Sequence, residues 1–185
     1  MEIQKNEVTI GLFGTCDNIR WRDPFMKAYD EKGIKYFNPM IDDWAERLEN
    51  SRKGLCPNPT EEENFYIKNS ELILFPVLED SLGNGSLAEL GFSIQTVLRR
   101  ILNGENQFLI ALIDDKCTDE RKSHDQRKES NKNRALVKSK LINAVSYPNI
   151  VLVNTLDEMF KLSFDMYDLA TKAKAYKESF STKVA

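Results

Sequence analysis

Short apolar runs alternate along the chain with longer stretches in which apolar residues recur every three or four positions, and this alternation predicts strands and helices in turn. Val8-Thr9-Ile10-Gly11-Leu12-Phe13 is nearly continuous in apolar character and closes on Gly14 and Thr15, the pattern of a strand buried on both faces. Asp23 as N-cap and Pro24 as first helical residue open a helix with Phe25, Ala28 and Tyr29 at helical spacing and Gly33 at its end. Ile34-Lys35-Tyr36-Phe37 reads as a second strand, which runs into Asn38-Pro39 and a long polar loop past Trp44; a loop of that length points to function. Thr60 and Glu63 have the spacing of a capping box, with Thr60 as cap, and begin a helix that ends near Asn69 and Ser70.

The most hydrophobic run, Leu72 to Leu78, predicts a central strand that stops near Pro76, because proline cannot donate to a ladder. After the turn Asp80-Ser81-Leu82-Gly83-Asn84-Gly85, the residues Leu87, Leu90, Ile94, Val97, Leu98 and Ile101 make one helical stripe that ends at Gly104. Phe108 to Ile113 is a fourth strand, and residues 114–134 form a charged excursion of nearly balanced sign, expected to be solvated and mobile. A helix over Ala135 to Val145, a fifth strand at Ile150 to Val153 and a helix from Leu156 to about Tyr176 complete the order. Strands alternating with helices predict an α/β protein, a flavodoxin-like doubly wound sheet of five parallel strands in the order 2-1-3-4-5, as one domain over residues 1–185. Such a sheet binds ligands outside the carboxyl ends of strands one and three, where the strand order reverses.

Composition narrows the functional classes. A chain of 185 residues with 41% hydrophobic content can bury a core without a metal or disulfide staple. With 29 acidic against 26 basic residues and a net charge of −3, there is no basic field for a nucleic-acid polymer. No stretch approaches the ~20 apolar residues of a membrane span and Met1 to Glu7 lacks an apolar signal core, so no membrane partner and a cytoplasmic location are expected. Cys16, Cys56 and Cys117 are widely spaced, and the single histidine, His124, sits in a polar run as a solvated loop residue; no metal site is expected.

The candidate chemistry gathers at the predicted crevice. The glycine turn before Ser86 and Glu89 delivers the chain to a helix start whose free N–H groups could hold a phosphate or sugar oxygen. The helix dipole would keep Glu89, placed in the first turn, ionised as a nucleophile or base; equally, Ser86 and Glu89 could be only a capping box. Glu63, before strand three, and Asp80, just after it, could approach Glu89 for acid–base work, although a solvated helix face also explains Glu61-Glu62-Glu63. In the first loop, Gly14, Thr15, Cys16, Asp17, Asn18, Ile19, Arg20, Trp21 and Arg22 combine a permissive backbone with an indole and two guanidiniums, a mixture suited to a planar base or an anion. Trp44 could add a second aromatic wall, and both tryptophans could instead be packing residues; Cys16 reads as a filler, because no histidine is placed to activate it.

Leu12-Phe13-Gly14-Thr15-Cys16 followed by Trp21-Arg22, then Tyr36-Phe37-Asn38-Pro39 with Trp44, then Gly85-Ser86-Leu87-Ala88-Glu89-Leu90-Gly91, resembles the nucleoside 2-deoxyribosyltransferase-like family over roughly residues 8–160. The resemblance implies an enzyme that cleaves or transfers at the N-glycosidic bond of a 2-deoxynucleoside or its 5-monophosphate. Glu89 would attack C1′ and form a covalent glycosyl-enzyme intermediate, Glu63 would handle the proton of the base, and Asp80 would hold sugar hydroxyls. Gly14, Thr15, Cys16, Trp21, Arg22, Asn38, Trp44, Gly85 and Ser86 fall at substrate-binding positions, and Ser81 or Ser86 could serve a phosphate. A second base would collect the sugar in a transferase and water in a hydrolase, both within nucleotide metabolism and without a cofactor. The family also implies a homo-oligomer in which Asn131, Asn133 or Arg134 completes a neighbour's pocket. NAD glycohydrolysis on a similar domain and a non-catalytic nucleotide-binding regulatory module are the alternative functions.

Overall fold

The computed structural model describes residues 8–16, 20–41, 43–144 and 146–181. Its elements are β1 (Thr9–Leu12), α1 (Arg22–Lys32), β2 (Lys35–Phe37), α2 (Trp44–Arg52), α3 (Pro59–Asn69), β3 (Leu72–Val77), α4 (Asn84–Leu102), β4 (Phe108–Ile113), α5 (His124–Ala144), β5 (Ile150–Val153) and α6 (Leu156–Ser181). The five strands form one parallel sheet in the order β2-β1-β3-β4-β5, the flavodoxin-like doubly wound arrangement that the pattern predicts. Among the described residues no helix is long and apolar enough to cross a membrane.

Strand side chains alternate between two cores because the strand period is two. Leu72 and Leu74 of β3 join Ile10 and Leu12 of β1, and Leu112 of β4, in a core covered by α1 and α6. Ile73, Phe75 and Val77 point the other way, into a core shared with Leu87, Leu90, Ile94 and Val97 of α4, Ile67 of α3 and Leu141 of α5. Each fully buried residue of this kind, such as Leu90, contributes about 1.5–3 kcal/mol, so the six wholly buried positions of β3 anchor both layers. Pro76 sits inside β3, in register with Leu112 of β4, and its carbonyl still accepts from the Thr15 N–H at 3.0 Å, so the proline costs the strand only a donor.

Several boundaries differ from the sequence reading, each for a local reason. Helix α1 starts at Arg22, with Trp21 before it and Asp23 in its first turn, so Asp23 is not the cap. The loop after Asn38 contains α2, whose cap is Asp43: its carboxylate accepts from the Glu46 N–H at 2.8 Å. Helix α3 is capped by Asn58, which accepts from the Thr60 N–H at 3.0 Å, with Pro59 in the first turn; Thr60 is not the cap and Glu63 has no capping duty. The excursion at 114–134 is no free loop, since its second half is the start of α5. Ser123 and Gln126 form a reciprocal capping box there, with the Ser123 N–H donating to Gln126 at 2.9 Å and the Gln126 N–H to Ser123 at 3.2 Å. His124 is the first residue of that helix and is exposed.

Candidate functional site

The loops after β1 and β3 are tied together before any cavity forms. Phe13 N–H donates to the Leu74 carbonyl and Thr15 N–H to the Pro76 carbonyl, both at 3.0 Å, which carries the chain beyond the end of β1 along the edge of β3. Gly14 adopts φ +104°, and a Cβ there would overlap the Pro76 carbonyl oxygen, so the close approach of the two loops requires glycine. The Thr15 hydroxyl accepts from the Leu78 N–H at 3.2 Å and is buried behind the loop.

Arg22 and Trp21 hold that loop from behind. Arg22 Nε donates to the Leu12 carbonyl at 2.8 Å, Nη1 to the Thr15 carbonyl at 3.0 Å and Nη2 to the Gly14 carbonyl at 3.3 Å, while the Trp21 indole N–H also reaches the Thr15 carbonyl at 3.0 Å. The guanidinium lies 4.5 Å from the centre of the Trp21 ring, and both residues are buried. Both therefore spend donors on the backbone of the loop, Arg22 also reaching the Cys16 sulfur, and neither lines the cavity in front of the loop, although the Arg22 charge reaches it.

That cavity has a volume of about 600 Å³, a size suited to a small organic ligand. One wall is α3, where Thr60, Glu63 and Asn64 share a face through their three- and four-residue spacing. The opposite wall is the start of α4, with Gly83, Asn84, Gly85, Ser86, Glu89 and Phe92, while Gly14, Cys16, Pro39 and Ser81 close the remainder. Gly83, at φ +64°, precedes α4, and no side chain caps the helix. The first intrahelical bond runs from the Leu87 N–H to the Gly83 carbonyl at 2.7 Å, so the N–H groups of Asn84, Gly85 and Ser86 precede the helical ladder at the cavity wall. The capping-box reading of Ser86 and Glu89 therefore fails, and Glu89 is in the second turn, beyond the strongest reach of the helix dipole.

The two carboxyls at the heart of the cavity are both perturbed. Burial pushes the Glu89 carboxyl up to about 7 against an opposing pull from Arg22, where the sequence reading had the dipole keep it ionised. Burial also pushes Glu63 up to about 7, and the negative charge of Glu89 pushes further in that direction, with Arg22 again opposing. Two such groups in one cavity titrate as a pair and hold about one proton between them near neutrality. Arg22 opposes the shift of both carboxyls, so one member of the pair is ionised near it while the other keeps the proton. Cys16 Sγ lies 3.5 Å from Arg22 Nη2, yet burial raises the thiol above its ordinary value, against activation as a nucleophile.

Of the expected site residues, Glu63, Glu89, Gly14, Cys16, Gly85 and Ser86 converge on this cavity. Asn38 lines a smaller neighbouring cavity of about 240 Å³ that shares Pro39 and Glu63 with the first. Trp44 opens α2, but its side chain lies outside the described residues, as do Asp17, Asn18 and Ile19. Asp80 is not a wall of the cavity; it sits by Arg134, whose charge it stabilises, so a sugar contact through it has no geometric support. The Ser81 hydroxyl accepts from the Gly83 N–H at 3.0 Å, which makes it a turn former. Arg134 is fully buried within its own chain and so is not offered to a neighbouring subunit, and the Asn131 side-chain oxygen is taken by the Cys117 N–H at 2.7 Å. Thr60, Asn64 and Phe92 escaped the sequence reading; Phe92 was detectable as an aromatic residue off the Leu87-Leu90-Ile94-Val97 stripe, and it is exposed at the cavity rim.

A scan against models of known protein families finds no match to the chain, and a search of curated proteins finds none either.

Proposed function

We propose that the protein cleaves or transfers at the N-glycosidic bond of a 2-deoxynucleoside or its 5-monophosphate, with Glu89 as nucleophile and Glu63 as the proton carrier. The observation that carries this reading is the carboxyl pair in one cavity, sharing a proton near neutral pH beside an uncapped helix start. A nucleophile must be ionised and a general acid protonated at the same moment, and two carboxyls that share one proton near neutrality supply one of each.

In the first step a Glu89 oxygen attacks C1′ and forms an ester to the sugar while the bond from C1′ to the base nitrogen breaks. Its electron pair leaves with the base, which takes the Glu63 proton. In the second step Glu63, now ionised, removes a proton from water or from a ring nitrogen of a second base as that atom attacks C1′ and frees Glu89. The N–H groups of Asn84, Gly85 and Ser86 suit a sugar hydroxyl or a 5-phosphate, and Phe92 offers an apolar surface at the rim.

The deciding experiment is chromatography of the purified protein with deoxyadenosine, deoxycytidine or their monophosphates, with and without a second free base, beside Glu89→Ala. A new nucleoside establishes a transferase and free base alone a hydrolase. Base release that survives Glu89→Ala overturns the reading, and tight binding without turnover marks a binding module.

A further inference from the structure

We propose that Arg134 is a positioning residue that moulds the turn between β3 and α4 into the wall of the cavity; its effect on turnover rests on the reading of Glu89 given above. All five N–H donors of this fully buried guanidinium are engaged. Nε donates to the Ser130 hydroxyl at 3.2 Å, Nη1 to the carbonyls of Val77 at 3.0 Å and Asp114 at 3.1 Å, and Nη2 to those of Leu78 at 2.8 Å and Ser81. Ser130, one turn earlier on α5, donates to the Leu82 carbonyl at 2.7 Å. The carbonyls of residues 77, 78, 81 and 82 are thus gathered onto α5 immediately before Gly83. A Cβ on Gly83 would lie 3.3 Å from Arg134 Nη2, so the turn closes against the guanidinium itself.

The charged segment before α5 adds to this clasp. Thr118 N–H donates to the Glu79 carbonyl at 2.7 Å, and the Glu79 N–H donates to the Asp114 carboxylate at 2.8 Å. Burying a cation is costly unless its donors are satisfied, and a planar fork that satisfies four carbonyls in different directions is what guanidinium supplies and a lysine ammonium cannot. The ordered result is the path of Gly83, Asn84, Gly85 and Ser86 along the cavity and the direction in which α4 presents Glu89.

The test compares wild type with Arg134→Lys by steady-state kinetics of base release and by hydrogen exchange at the hydrogen-bonded amides of Leu78, Gly83 and Leu87. With the far-UV circular dichroism unchanged, kcat falls by about tenfold or more and KM rises, because misplacing a binding wall penalises both. Exchange at those amides speeds up by about tenfold. Kinetic constants within about twofold of wild type overturn the inference. If the lysine variant does not fold, Ser130→Ala replaces it: this keeps the guanidinium, removes the tie to Leu82 and should lower kcat/KM by about threefold, and an unchanged kcat/KM overturns the inference. A wild type without Glu89-dependent base release removes the catalytic reading by itself, before any variant is compared. The exchange rates then decide the clasp: faster exchange in Arg134→Lys supports it and unchanged exchange overturns it.

Discussion

Glu63 on α3 and Glu89 on α4 face one cavity, and the charge of Glu89 adds to burial in pushing Glu63 up to about 7. Each group thereby sets the state of the other. Arg22, behind the β1 loop, pulls both carboxyls toward ionisation, against the burial that raises them. Replacing Glu89 by Gln exchanges the carboxylate nucleophile for a neutral amide, and base release should fall by about 10⁴-fold or more, the scale on which loss of a covalent nucleophile registers. The check is single-turnover base release under saturating deoxynucleoside. A loss of less than about tenfold would leave Glu89 without that role.

Glu63→Gln should act differently. It removes the proton donor and keeps the nucleophile, so natural deoxynucleosides should lose about 10²–10⁴-fold in kcat. A substrate whose leaving group departs as a stable anion needs no proton and should lose much less. Equal losses on both substrates would assign Glu63 a structural role.

The pair also predicts how stability depends on pH. Both carboxyls have folded values of about 7, above the ordinary value of 4.5, so between those limits the folded chain binds more protons than the unfolded one. Their contribution is therefore fully present below pH 4.5 and is lost as pH rises through about 7. Glu63→Gln and Glu89→Gln, which carry no charge at any pH, should each melt higher than wild type at pH 8, and the advantage should vanish near pH 5. An advantage of about 1 kcal/mol appears as about 2–4 °C in a chain of this size. Thermal melts at the two pH values measure it, and a wild type that melts above both variants at pH 8 would contradict the assigned direction.

Two glycines at the cavity should be intolerant of a methyl group. Gly83→Ala would place a Cβ 2.7 Å from Val77 Cγ1 at φ +64°, and should cost about 1–2 kcal/mol for the left-handed backbone before any packing penalty. Gly14→Ala meets backbone, the Pro76 carbonyl, which cannot swing away as a side chain would. It should therefore be the more destabilising of the two. Urea unfolding of both variants checks the order, while Gly85→Ala, where a Cβ meets open space, should stay near wild type.

Wherever residues pattern against a core, the sequence was sufficient. The apolar runs at Leu72, Phe108 and Ile150 and the α4 stripe of Leu87, Leu90, Ile94 and Val97 determined five strands, their parallel order and a crevice at the ends of β1 and β3. Hydrophobic burial is legible from spacing because the helix and strand periods differ. Gly14 and Gly83 of the crevice were legible too, since a positive φ and a close approach select glycine there.

Only the tertiary structure decided which polar residues work at the cavity. Glu61, Glu62 and Glu63 are alike in sequence, and it is the angle of α3, started by Asn58, that sets Glu63 among the cavity walls near Glu89. Trp21 and Arg22 looked like ligand contacts and became supports of the β1 loop, while Arg134 left a segment read as mobile to become the buried partner of four carbonyls. Hydrogen bonds and charges act between residues distant along the chain, and those relationships have no period; they come into being only when the sheet brings the loops together.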